Sequence, residues 1–78
     1  MKDYYKILGI SPYAEISEIS AAYRALAKIY HPDKWKGDKK TGDKKIREIN
    51  EAYDTLKNKN KKQKYDKEYF ASKNDFMV

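Results

Sequence analysis

The chain has 78 residues, which sets a one-domain expectation and limits the core, since a chain of this size buries only about 60% of its unfolded surface. Lys and Arg number 18 against 12 Asp and Glu, so the net charge is +6 with His31 neutral, and 40% of residues are hydrophobic. With no cysteine, a disulfide framework, a thiolate zinc site and a Cys nucleophile are excluded.

Asp3 is placed to cap a short helix over residues 4–8, which Gly9 ends as a left-handed C′ residue. Ser11-Pro12 signals a turn. Residues 15–30 follow with Ile16, Ile19, Tyr23, Leu26, Ala27 and Tyr30 at three- and four-residue steps. Ala21, Ala22, Ala25 and Ala27 give this segment helix propensity as well as period. Pro32 stops it, because the residue before a proline is pushed out of helical angles. Residues 33–43 show no apolar period and are expected to be an exposed loop, with Gly37 and Gly42 among lysines.

A second amphipathic helix is expected after Asp43 or Thr41 as its cap. Ile46, Ile49, Tyr53 and Leu56 mark one face, and Arg47, Glu48, Glu51 and Asp54 the other. Residues 58–60 read as a break and 61–70 as a last helix, with Tyr65 and Tyr69 one turn apart. The fold class expected is all-α with four helices. Two long antiparallel helices form a hairpin, two shorter ones pack at its ends, and Ile19, Leu26, Ile49, Tyr53 and Leu56 centre the core. Residues 71–78 read as a C-terminal tail, the start of a linker if the protein is longer.

The sharpest motif is Tyr30-His31-Pro32-Asp33-Lys34, directly after the first long helix. Around it stand Asp3-Tyr4-Tyr5-Lys6-Ile7-Leu8-Gly9-Ile10, Ala22-Tyr23-Arg24-Ala25-Leu26-Ala27, Glu48-Ile49-Asn50-Glu51-Ala52-Tyr53-Asp54-Thr55-Leu56 and Lys64-Tyr65-Asp66. In this register they resemble the J-domain of the DnaJ co-chaperone family over residues 3–66. The resemblance implies binding to a DnaK-type (seventy-kilodalton heat-shock) chaperone and stimulation of its ATP hydrolysis. It assigns partner contacts to His31, Pro32 and Asp33 in the loop, to Arg24 and Lys28 on the helix before it, and to Lys34, Tyr23, Ile46 and Arg47 around them. The residues depart from the family pattern in places. Ser20, Ala21 and Ala25 stand where J-domains often carry Lys or Arg, and Ile46 stands where a Phe is usual. Asn58 to Lys62 replace an Asp-Pro turn followed by Lys-Arg.

The residues themselves are consistent with presentation. Pro32 fixes a backbone dihedral and can hold His31 and Asp33 in a defined relation at the hairpin tip, and a carboxylate suits a bidentate Arg on a partner. Tyr23 is read either as plain core or as a residue bordering an interface. Trp35 is read as folded back over the loop or as offered to a partner. An acid–base pair of His31 and Asp33 is disfavoured, because no Ser, Cys or second His is placed to use it. A single His with scattered carboxylates is a poor metal site, so no enzyme activity, cofactor or metal is expected.

Net charge +6 also suits a helical nucleic-acid-binding module, though Glu48, Glu51 and Asp54 would repel phosphates from the candidate reading helix. A degenerate J-like assembly domain without ATPase stimulation is the other alternative. The lysine-rich runs at residues 34–45 and 57–68 each carry six lysines against two acids and read as solvated surface. No apolar run approaches the ~20 residues of a membrane span, and the opening residues are too polar for a signal peptide. The cytosol and a monomeric state are the default expectations.

Overall fold

Capping side chains set the helix starts in a computed structural model that describes residues 2–73, the last by its backbone alone. Asp3 Oδ1 accepts from the Lys6 N–H at 3.1 Å and opens α1 (Tyr4–Leu8). Gly9 ends that helix at φ +70°, in the left-handed region that a Cβ disfavours. In front of α2 (Ile16–Tyr30) the Glu15 N–H donates to Glu18 Oε1 at 3.4 Å, half of a capping box. Asp38 Oδ2 accepts from the Thr41 N–H at 3.1 Å and from Thr41 Oγ1 at 3.2 Å, opening α3 (Lys39–Leu56). Asn58 Oδ1 accepts from the Lys61 N–H at 3.0 Å at the start of α4 (Lys59–Lys73).

The third and fourth helices therefore differ in extent from the expectation. The third helix begins at Lys39, so the loop closes early and Gly42 is a buried residue within the helix. Its first two turns carry no apolar side chain for a period to register; the Asp38 cap sets the start instead. The fourth helix begins at Lys59, because Asn58 caps it, so the break expected at residues 58–60 is confined to residues 57 and 58. It also continues past Phe70 to Lys73, and the rest of the expected tail, residues 74–78, lies outside the described residues.

α2 and α3 run antiparallel, as their cross-contacts require: Ser20 lies against Tyr53, and Tyr23 reaches Asn50 further back along α3. The core is Tyr5, Leu8, Ala14, Ile19, Ile49, Ala52, Leu56, Tyr65 and Tyr69. Ile19, Ile49 and Leu56 are buried as expected, and full burial of such side chains contributes about 1.5–3 kcal/mol each. Leu26 and Tyr53 do not lie at its centre. They are half-buried and pack on its flank, because α1 and the two inward tyrosines of α4 take the central space.

Those tyrosines join α4 to α1. The Tyr65 hydroxyl accepts from the Tyr4 N–H at 2.9 Å and donates to the Lys2 carbonyl at 2.7 Å. The Tyr69 hydroxyl donates to Asp3 Oδ2 at 3.3 Å. Tyr5 donates to the Asp66 carboxylate, which also accepts from Lys62 Nζ at 2.7 Å. Every buried side-chain nitrogen and oxygen among the described residues has a partner. The α2–α3 loop belongs to none of this seam.

Candidate functional site

The chain leaves α2 at His31 with φ −59° and ψ +135°, the extended geometry that a following proline imposes. The His31 carbonyl then accepts from both the Lys34 and Trp35 N–H groups, each at 2.8 Å, which folds residues 31–35 into a tight turn. The Asp33 N–H donates to His31 Nδ1 at 3.2 Å, so in this arrangement Nδ1 carries no proton. The Asp33 carboxylate comes within 3.8 Å of the same nitrogen. That second approach is long and solvent-exposed, and the backbone bond is the contact that fixes the imidazole. The side chain of Asp33 is 88% exposed and that of His31 56%. The acid is thus held at the hairpin tip by its backbone, and its acceptor oxygens face solvent.

Ala27, Lys28, His31, Asp33 and Lys34 line a hollow of about 330 Å³ beside the tip. Two lysines, a histidine and an aspartate thus border one mostly apolar depression. Arg24 and Lys28 are exposed one turn apart on α2. Of the other candidates, Tyr23 is half-buried. Its ring stacks on Tyr53 with centroids 4.1 Å apart and planes at 8°, and its hydroxyl donates to Asn50 Oδ1 at 2.9 Å. Ile46 is half-buried on α3, and the exposed Arg47 lines a separate shallow hollow with Lys2, Lys40, Lys44, Glu48 and Glu51. His31, Asp33, Lys28 and Lys34 therefore converge, whereas Tyr23 belongs to the hairpin seam and Arg47 opens onto a different concavity.

Trp35, left undecided by the sequence, is folded back. Its ring packs on Tyr30 with centroids 4.8 Å apart, and its Nε1–H donates to the Asp38 carbonyl at 2.8 Å. Sequence reasoning missed that Gly37 and Gly42 make room for it. The available signal was a large ring followed by two glycines, two and seven residues on; the second lies inside a helix, where glycine is disfavoured.

The perturbed titrations lie elsewhere, where α1 packs on α3 and α4. Burial, followed by the bond to Asp66, pushes the Tyr5 phenol far above its ordinary value. The bond to Glu51 pushes Tyr4 up to about 12, and the same bond, with one from Lys2, holds the Glu51 carboxyl low. Among the described residues no three His, Cys, Asp or Glu side chains gather as metal ligands, and no helix is long and apolar enough to cross a membrane.

A family model described as the DnaJ domain matches residues 3–66. The chain is similar to the chaperone protein DnaJ of Clostridioides difficile (strain 630), at 52% identity over 65 residues, which cover 83% of this chain and 17% of that protein. It is similar to the chaperone protein DnaJ of Chlorobaculum tepidum at 49% identity, covering 83% of this chain and 16% of that protein. Among solved structures it resembles the solution structure of the J-domain of a mouse DnaJ-like protein, with a TM-score of 0.78 and 38% identity over 86% of this chain and 77% of that one. The chain thus spans 16–17% of the length of these two curated relatives.

Proposed function

The chain belongs to the DnaJ (J) domain family, and from that premise we propose that it is a co-chaperone module for a DnaK-type chaperone. It docks through the His31-Pro32-Asp33 loop and the basic face of α2 and stimulates the partner's ATP hydrolysis, coupling that chaperone to client protein. The observation that carries this reading is the Asp33 side chain, 88% exposed at a backbone-fixed tip. A carboxylate so placed keeps its oxygens available for charge-assisted bonds from a partner's guanidinium. An acid turned inward and neutralised by its own chain would have had nothing to offer.

The bond-breaking chemistry belongs to the partner. This module contributes binding free energy that differs between the partner's conformations, which shifts the partner towards the hydrolysing one. Pro32 and the turn onto the His31 carbonyl fix the approach of Asp33. Arg24, Lys28 and Lys34 attract an acidic surface, with Arg47 adding charge from the next helix. Tyr23 and Ile46 supply apolar contact at the margin of the docking face.

A single-turnover ATPase assay with candidate DnaK-type chaperones tests the proposal. The unaltered chain is expected to accelerate hydrolysis and to hydrolyse nothing alone. Asp33→Asn removes the charge with almost no change of shape and is expected to abolish stimulation while circular dichroism stays unchanged. Normal stimulation by that variant overturns the role of Asp33. If the unaltered chain folds and accelerates no chaperone, it is an assembly domain instead.

A further inference from the structure

Trp35 closes the docking loop from inside. Its backbone N–H donates to the His31 carbonyl at 2.8 Å, and its ring packs on Tyr30, the last residue of α2. Its indole Nε1–H donates at 2.8 Å to the carbonyl of Asp38, the N-cap residue of α3. That carbonyl also accepts from the Gly42 N–H at 3.0 Å. One side chain therefore ties the end of the first hairpin helix to the start of the second across the loop that carries Asp33.

Two glycines stand where the indole needs space. A Cβ built on Gly42 would lie 2.5 Å from Trp35 Cδ1 and 2.9 Å from Nε1, and one on Gly37 would lie 2.3 Å from Cζ2. None of these three distances is tolerable between non-bonded heavy atoms. Neither residue has a positive φ, so backbone conformation does not call for glycine at either position. Gly42 moreover sits within α3, where any ordinary residue would favour the helix more. Space for the ring is the physical reason left on both counts.

We propose that Trp35 is a positioning residue for Asp33, seated by Gly37 and Gly42, and that it fixes the docking loop in its binding geometry before the partner arrives. This rests on the co-chaperone reading for its consequence, though not for its structural content. The Asp33 side chain has no close tie of its own to hold it. Its pose follows from the backbone of residues 31–35, which is restrained by Pro32 at one end and by the Trp35 anchor at the other. Loss of the anchor lets the loop sample poses that cannot bind, and apparent affinity falls with the fraction of competent molecules.

Trp35→Ala and Gly42→Ala test the idea together. The first removes the ring; the second leaves it in the sequence and expels it from its seat while favouring the helix. Backbone amide relaxation at Asp33 and Lys34 is measured first and needs no chaperone. Both variants are expected to lower the order parameters there and to leave those of residues 19–26 and 49–56 unchanged. Unchanged loop order in both overturns the proposal. With a DnaK-type chaperone that the unaltered chain stimulates, both variants are then expected to bind about tenfold more weakly yet reach the same maximal rate at saturation, because only the competent fraction has changed. A lost maximal rate with unchanged affinity, or affinity equal to that of the unaltered chain, also overturns it. Should no chaperone respond to the unaltered chain, the co-chaperone reading fails, while the relaxation data still decide what Trp35 does to the loop.

Discussion

Tyr5 and Asp33 show how differently two polar groups are treated in one small molecule. The Tyr5 ring is 1% exposed, its hydroxyl donates to Asp66, and Lys62 completes the group through that carboxylate with its ammonium 5.9 Å from the ring centroid. Tyr5→Phe keeps the ring and leaves Asp66 with one partner fewer. A hydrogen bond to a charged acceptor contributes about 1.5–3 kcal/mol, and partial access of water to Asp66 places the expected loss near the lower end. Thermal unfolding should show a melting point lower by roughly 4–8 °C per kcal/mol for a domain of this size. Asp33 has no such group around it, so Asp33→Asn is expected to change stability by less than about 0.5 kcal/mol in the same measurement. A change of function without a change of stability is what separates a docking residue from a structural one.

At the scale of the helix, α2 carries its charge where water can screen it. Arg24 and Lys28 are exposed, and the positions where J-domains often add further Lys or Arg hold Ser20, Ala21 and Ala25. Arg24→Ala is expected to weaken partner binding most at low salt and little when the Debye length falls well below its ~10 Å value at 0.1 M. Titrations at two ionic strengths measure this, and equal losses at both would remove the electrostatic role. α1 and α2 were the helices most legible in the sequence, and α1 spans the expected residues 4–8 between Asp3 and Gly9. For α2 the agreement is nearly as close: it begins one residue after the expected start and ends at Tyr30 as Pro32 dictates. α3 was less so, because an apolar period can register only where apolar residues exist, and residues 39–45 have none. Its start was written in the chemistry of Asp38 and Thr41, three residues apart. The same holds for Asn58 ahead of α4.

Over the whole molecule, the packing of α1 on α3 and α4 makes stability depend on phenols staying protonated. Tyr4 is raised from 10.0 to about 12 by its bond to Glu51, and burial raises Tyr5, Tyr65 and Tyr69. A folded state that holds these protons more tightly than the unfolded chain has their full contribution below about pH 10 and loses it as pH rises through that value towards 12. Alkaline unfolding followed by circular dichroism should therefore coincide with tyrosinate absorbance; release of these protons from a still-folded protein would contradict the assignment. The site, by contrast, was legible as a motif but not as a geometry. His31-Pro32-Asp33 could be read from the chain, whereas the seat of Trp35 joins residues 30, 37, 38 and 42, whose proximity depends on where α3 begins. That seat has a practical consequence. The sequence holds one indole among eight phenols, and it stands two residues from the acid proposed to meet the partner. Its emission reports on the docking loop alone, so binding can be followed by intrinsic fluorescence without a dye attached to the surface that binds.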